Sequence, residues 1–255
     1  MCGRYASSRR PEDLVEEFKI DENQVKETPA PDYNVAPTKS VYAVLDRPAK
    51  EADREETRPA ARQLRLLTWG LVPFWAKDPA IGNKMINARV ETVTEKPAYR
   101  RAFAARRCLL PADGYYEWYT TSQKNKSGRP VKQPFFIHPA DGGVLAMAGL
   151  YEIWRDPTRG DDDPDRFRWT CTVLTTSAED NLGRIHDRMP MLVEPEKYAA
   201  WLDPELTDPD DLRSLLVPAA PGRLEAYPVS TQVNNVRNNG PDLVVPVDAE
   251  PEAMP

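Results

Sequence analysis

The 255 residues carry 34 Lys and Arg against 40 Asp and Glu, a net charge of −6, and 40% are apolar. A chain of this length builds one large domain or two small ones around a real core. It has no apolar run near the roughly 18 residues of a membrane span and no apolar stretch behind MCGRYASSRRPEDL, which excludes a spanning helix and a cleaved secretory signal and predicts a cytoplasmic protein.

Net acidity argues against nucleic-acid binding by bulk charge, but a local basic patch stays open. Cys2, Cys108 and Cys171 form no CxxC pair, and His138 and His186 are the only imidazoles. Neither a disulfide framework nor a zinc site is expected, so the chemistry is read as free of metal and cofactor.

Proline, at 26 of 255 residues, punctuates the chain, and where it stands at a helix start its missing N–H costs nothing. In chain order, Pro11 opens a helix over PEDLVEEF, and strands follow over SVYAVLD (40–46) and RQLRLLTWGLV (62–72). A helix is predicted from Pro97 to Arg107, with Tyr99 and Phe103 on one face and arginines on the other. Strands are expected over CLLPADGYYEWY (108–119), QPFFIHP (133–139), VLAMAGLYEIW (144–154), FRWTCTVLTT (167–176) and MPMLV (189–193). Helices open at Pro195 (PEKYAAWL) and Pro209 (PDDLRSLL), and LEAYPVS is the last strand. Three charged segments, near 50–60, 122–133 and 155–166, have the composition of hairpin loops. With crossover helices mostly missing, the expected fold is α+β: one β-rich domain over 1–245 on a curved, barrel-like, mainly antiparallel sheet with short peripheral helices. An acidic tail over 246–255 is expected to be disordered.

Cys2 is the most informative position. Once Met1 is removed, it presents an α-amine (unperturbed pKa about 7.7–8.0) beside a thiol (about 8.5), both partly nucleophilic near neutrality. Such a 1,2-aminothiol condenses with an aldehyde to an imine and closes to a thiazolidine; an activated acyl carbon is the other electrophile it suits. The plain alternative is the second residue of a frayed terminus. Cys108 and Cys171 lie in apolar runs and read as small buried hydrophobes.

His186, in RIHDRMP, is a candidate for proton transfer, although a lone His is commonly a hydrogen-bonding or surface residue. Glu117, in DGYYEWY, sits among aromatics where burial would raise its pKa toward that of a general acid; the alternative is an exposed strand carboxylate. Alternation places Tyr115, Glu117 and Tyr119 on one face and Tyr116 and Trp118 on the other. Asn87 and Arg89 share a face if extended, an amide beside a phosphate-gripping guanidinium. From Lys84 to Arg107 seven basic residues stand against Glu91 and Glu95, a local balance of +5 that suits a phosphate-facing surface or a solvated helix face. Phe74 and Trp75 are candidates to stack on unpaired bases, worth about 1–3 kcal/mol each.

Together these residues resemble the SRAP family, the SOS-response-associated peptidases known as abasic-site processing proteins. The motifs run in order along nearly the whole chain: MCGRYA, YNVAPT (Tyr33 to Thr38), WGLVPFWAKD, NARVET, GYYEW, QPFFI, TTSA, HDRMP and PVSTQVNNVRNNG. The resemblance implies proteolytic removal of Met1, by the protein itself in the simplest case. Cys2 would then attack the ring-opened aldehyde of an abasic site in single-stranded DNA, giving a covalent thiazolidine DNA–protein crosslink. It implies that Asn87 holds the Cys2 amine or the opened sugar, Glu117 moves protons, and His186 stabilises the sugar hydroxyl or assists ring opening. DNA contacts are implied for Arg4, Asn34, Phe74, Trp75, Arg89, Thr175, Thr176 and Arg188. A monomer with no membrane or metal partner is expected, nucleoid-associated when DNA is bound. Extra residues between Trp75 and Asn87 leave open which aromatic is the wedge.

Two other readings compete. An N-terminal-nucleophile glutamine amidotransferase also begins MCG, but there the α-amine is the base, leaving Glu117, His186 and the basic segment without work. A non-covalent single-strand-binding module makes Cys2 incidental.

Overall fold

The structure, a computed structural model, describes residues 2–47, 60–178, 182–220 and 222–248. Its strands are β1 (Tyr5–Ser7), β2 (Glu22–Asn23), β3 (Asp32–Val35), β4 (Ser40–Arg47), β5 (Ala61–Trp69), β6 (Asn87–Arg89), β7 (Arg107–Ala112), β8 (Gly114–Lys124), β9 (Pro130–Pro139), β10 (Leu145–Arg155), β11 (Phe167–Ser177), β12 (Arg188–Pro190) and β13 (Leu224–Pro228). The helices are α1 (Pro11–Phe18), α2 (Arg100–Ala105), α3 (Leu182–Ile185), α4 (Tyr198–Leu202) and α5 (Pro209–Leu215), with short 3₁₀ turns at Pro79–Lys84, Pro195–Lys197, Thr231–Asn234 and Pro241–Val244. Among the described residues no helix is long and apolar enough to cross a membrane.

Five strands close into a barrel. The antiparallel order β11-β10-β7-β4-β5 returns on itself because β5 also pairs in parallel with β11, Thr68 opposite Thr170 and Trp69 opposite Cys171. Alternate residues point inward, as the two-residue strand period requires: Val41, Ala43 and Leu45, then Leu67 and Trp69, Cys108 and Leu110, and Cys171 and Val173 share one buried cluster. The opposite side chains, among them Val44, Leu109, Ala148 and Leu174, are covered by Leu14 and Phe18 of α1, Phe103 of α2, Trp201 of α4 and Leu212 of α5. Both strand faces are therefore buried, which is why these segments are apolar almost throughout.

A second sheet, β13-β9-β8-β1-β3, lies beside the barrel. Its β8 presents Tyr115 and Tyr119 to the barrel cluster and Tyr116 and Trp118 to a separate one behind the sheet, the alternation expected from the sequence.

The structure corrects three expected elements. CLLPADGYYEWY is two strands in two sheets, because Asp113 turns the chain: its amide donates to Ala6 O and its carboxylate accepts from Ser8 N at 2.6 Å. Gly114 follows because a Cβ there would meet Phe136 Cζ at 2.4 Å. The strand expected over 189–193 is only β12. The helix expected from Pro97 to Arg107 shrinks to α2, and Arg107 opens β7 with its guanidinium buried rather than on a basic face. Its Nη1 donates to the carbonyls of Phe103 (2.9 Å) and Ala104 (2.7 Å), Nε to Trp201 O (2.6 Å), and Nη2 to Leu206 O (3.0 Å) and Asp203 O. One side chain thus serves the open C-terminal carbonyls of both α2 and α4. The charged segment near 50–60 falls almost wholly outside the described residues. Pro246 still bridges to Val229, and the Val247 amide donates to Pro228 O, so the fold continues two residues past the expected boundary.

Candidate active site around Cys2

Strand β1 delivers the N-terminal residues to the seam between the sheet and the barrel. Tyr5 pairs with Tyr115, and the Tyr116 amide donates to Arg4 O, a register that carries the chain toward Glu117. Cys2 ends with no exposed surface, inside the same cluster as Trp69, Cys108 and Cys171. Burial pushes its thiol far above the ordinary cysteine range, and the nearby Glu117 charge adds to the rise. Near neutrality this sulfur keeps its proton.

Asn87 reaches Cys2 from the barrel side. Strand β6 pairs in parallel with β11, Val173 opposite Asn87 and Thr175 opposite Arg89. From there Asn87 Nδ2 donates to Cys2 O at 2.8 Å, while Tyr99 Oη donates to Asn87 O at 3.3 Å. Asn87 Oδ1 is buried with no hydrogen-bond partner among the described residues.

Glu117 and His186 complete the group. Glu117 is buried, and desolvation raises its carboxyl to about 7. His186 follows α3, with Nε2 3.9 Å from Glu117 Oε2. Burial lowers the imidazole below its ordinary value, so it is neutral near pH 7. Its Nδ1 accepts from the Arg188 amide at 3.0 Å, which puts the ring proton on Nε2, facing Glu117. The exposed Asp187 carboxylate, 3.0 Å from Nδ1, favours the protonated ring, but water screens it while the amide hydrogen is fixed by the backbone.

The seam thus brings a buried thiol, an amide, a carboxyl that titrates near neutrality and a neutral imidazole into one constellation. The family described as SOS response associated peptidase (SRAP) matches residues 1–236. The chain belongs to the SRAP family. It is 40% identical over 244 residues to the abasic site processing protein YoqW of Bacillus subtilis, covering 96% of this chain and 99% of the relative. The abasic site processing protein YedK of Escherichia coli is 32% identical over 253 residues, covering 97% and 100%. HMCES of Xenopus tropicalis, also an abasic site processing protein, is 30% identical over 282 residues, covering 97% of this chain and 78% of that one. A crystal structure of a protein from Bacteroides thetaiotaomicron shares the fold at TM-score 0.76 and 23% identity, covering 96% of this chain and all of that one.

The remaining SRAP motif residues divide into surface groups and supports. Phe74 and Trp75 are each 49% exposed, and the Arg101 guanidinium lies 4.5 Å from the Phe74 ring centre. Arg89 is exposed as well, and so are Lys84, Lys96, Arg100 and Arg101; Arg106 pairs with Glu152 and Arg107 is buried. The basic surface is smaller than the sequence count of seven.

Asn34 has no exposed surface and its amide is fully used. Oδ1 accepts from Arg4 Nη1 at 2.6 Å, and Nδ2 donates to the carbonyls of Val233, Asn235 and Asn238. It aims Arg4 and anchors the 231–240 loop, and its buried side chain offers nothing to DNA directly. Arg4 in turn lies over the Trp118 ring at 5.7 Å. Thr175 and Thr176 are likewise buried in β11, where Thr175 O accepts from Arg188 Nη2 at 2.6 Å. Arg188 is held by Glu91 through two contacts, Nη1 to Oε1 at 2.6 Å and Nη2 to Oε2 at 3.0 Å. Sequence reasoning passed over Glu91, counting it only as a charge, although its place in NARVET two residues after Arg89 was the available signal.

Proposed function

We propose that this chain traps abasic sites in single-stranded DNA as a thiazolidine through Cys2, after Met1 is removed. The observation that carries the reading is the convergence of Cys2, Asn87, Glu117 and His186 in one seam, with a carboxyl that titrates at about 7.

In the reaction, the freed α-amine adds to the aldehyde carbon of the opened sugar, and one water leaves to give the imine. The Cys2 thiol then adds across the C=N bond: sulfur bonds to carbon and the thiol proton ends on nitrogen. The balance is loss of one water. A thiol held protonated by burial suits the second step better than the first, so the amine leads. Glu117, half protonated near neutrality, gives a proton to the departing hydroxyl and takes one from the amine. His186 Nε2–H donates to a sugar hydroxyl oxygen. Asn87 Oδ1, which has no hydrogen-bond partner among the described residues, accepts from the freed amine and orients its lone pair. Arg89, Arg188 and the exposed Phe74 and Trp75 supply phosphate and base contacts, and Arg188 exchanges Glu91 for phosphate.

Family membership and relatives named as abasic site processing proteins support this reading. An amide hydrolase would leave Glu117 and His186 without a task. The test is denaturing electrophoresis after incubation with a single-stranded oligonucleotide bearing one abasic site. Wild type is expected to give a heat-resistant shifted band and Cys2→Ala none. A band of equal strength from Cys2→Ala would overturn the proposal.

A further inference from the structure

The β8–β9 hairpin carries cations that the reaction above does not use. Between Thr120 and Gln133 the chain holds Lys124, Lys126, Arg129 and Lys132 and no acidic residue, within a chain whose net charge is −6. All four are exposed, and none forms an ion pair among the described residues. The β10–β11 hairpin is the contrast. It has a similar density of arginines, yet Arg155 pairs with Asp161 at 2.7 Å, Arg159 with Asp163 at 2.9 Å and Arg168 with Asp156 at 2.6 Å. One hairpin neutralises itself and the other does not.

The basic hairpin is also built to hold its shape and is continuous with the site. At its tip Asn125 Oδ1 accepts from the amides of Ser127 and Arg129, both at 3.0 Å, and Asn125 N donates to Arg129 O at 2.8 Å. Gly128 supplies the positive φ of 76° that the turn requires. Strand β8 runs from Glu117 toward this tip, its register against β9 shifting between Thr120 and Lys124. Lys132 stands opposite Thr120, about 10 Å along the strand from Glu117 at about 3.4 Å per residue, and Lys124 lies beyond the register shift. Consistent with that spacing, the Lys132 charge is felt at both Glu117 and His186, lowering each.

We infer that the β8–β9 hairpin is a phosphate-binding arm that holds the DNA strand beyond the trapped sugar. Exposed cations with no ion-pair partner among the described residues, carried along a two-stranded ribbon, match the regular charges of a polynucleotide backbone and carry no base specificity. The inference rests on the proposed function for its direction along the strand, though not for the arm's affinity for nucleic acid.

The test replaces Lys124, Lys126 and Arg129 together by Gln and leaves Lys132, whose charge reaches the catalytic pair. Binding to a single-stranded oligonucleotide without an abasic site is followed by fluorescence anisotropy between 50 and 200 mM salt. Each phosphate contact on a single strand contributes about 0.7 to the slope of log K against log salt. The variant is therefore expected to lose about 2 from that slope, while its crosslink yield at saturating abasic DNA stays that of wild type. A control, Arg155→Gln with Arg159→Gln and Arg166→Gln, changes net charge equally and is expected to keep the slope. An unchanged slope in the hairpin variant, or an equal loss in the control, overturns the arm. A wild type that forms no crosslink, with the slope still lost in the hairpin variant, overturns the abasic-site reading and leaves the arm standing.

Discussion

Glu117 is the residue whose burial has a measurable cost. Its carboxyl is raised from 4.5 to about 7 by desolvation. Between those values the folded protein holds a proton that the unfolded chain has released, so stability falls as pH rises from about 4.5 to about 7. Urea midpoints across that range are expected to decline in wild type and to flatten in Glu117→Gln; equal slopes in the two proteins would mean the group is not raised. In crosslinking, Glu117→Gln is expected to lose rate and, with it, the pH dependence near 7. Three residues of the seam stood out in the sequence by scarcity or by a costly setting, a cysteine at position 2, a carboxylate between aromatics and one of two histidines, and Asn87 stood out by its spacing from Arg89. Asn34, Thr175 and Thr176 were not separable from DNA-facing residues. A motif preserves a residue that aims an arginine as firmly as one that touches phosphate, and only burial distinguishes Asn34 from the Arg4 it holds.

At the scale of elements, proline marked the starts of α1 and α5, whereas Pro195 opens a 3₁₀ turn ahead of α4 and α2 begins three residues after Pro97. Ends were harder. The PAYRRAFAARR stretch reads as one helix by periodicity, but Arg107 leaves it to bind carbonyls of α2 and α4 from the first position of β7. That role depends on α4, nearly a hundred residues later, and no local pattern announces it. Losing five carbonyl contacts in a buried place leaves acceptors unpaired at about 1–3 kcal/mol each, partly relieved by water. Arg107→Met is expected to lower unfolding free energy by about 3–5 kcal/mol, read from urea denaturation. A loss below about 1 kcal/mol would mean that these carbonyls find other partners. Arg107→Lys, with three donors, is expected to fall between.

Across the whole molecule, a curved, barrel-like sheet was expected, but the pairing that closes it was not legible. The parallel pairing of Thr68 with Thr170 and Trp69 with Cys171 joins segments about a hundred residues apart, and apolar strands buried on both faces do not say which neighbour they take. Closure matters for the site, because β11 is the strand that seats β6 and β12 and so sets Asn87 beneath Cys2 and Arg188 beside His186. Net charge was similarly silent: a total of −6 combines self-paired acidic loops with exposed cations on Arg89, α2 and the β8–β9 hairpin. Capture of the sugar by an N-terminal aminothiol is read out by mass spectrometry of the crosslinked protein after nuclease and protease digestion. The adduct is expected on an N-terminal peptide that begins at Cys2, lacks Met1, and carries the sugar remnant less one water. An adduct on a lysine, or on a peptide that retains Met1, would contradict it.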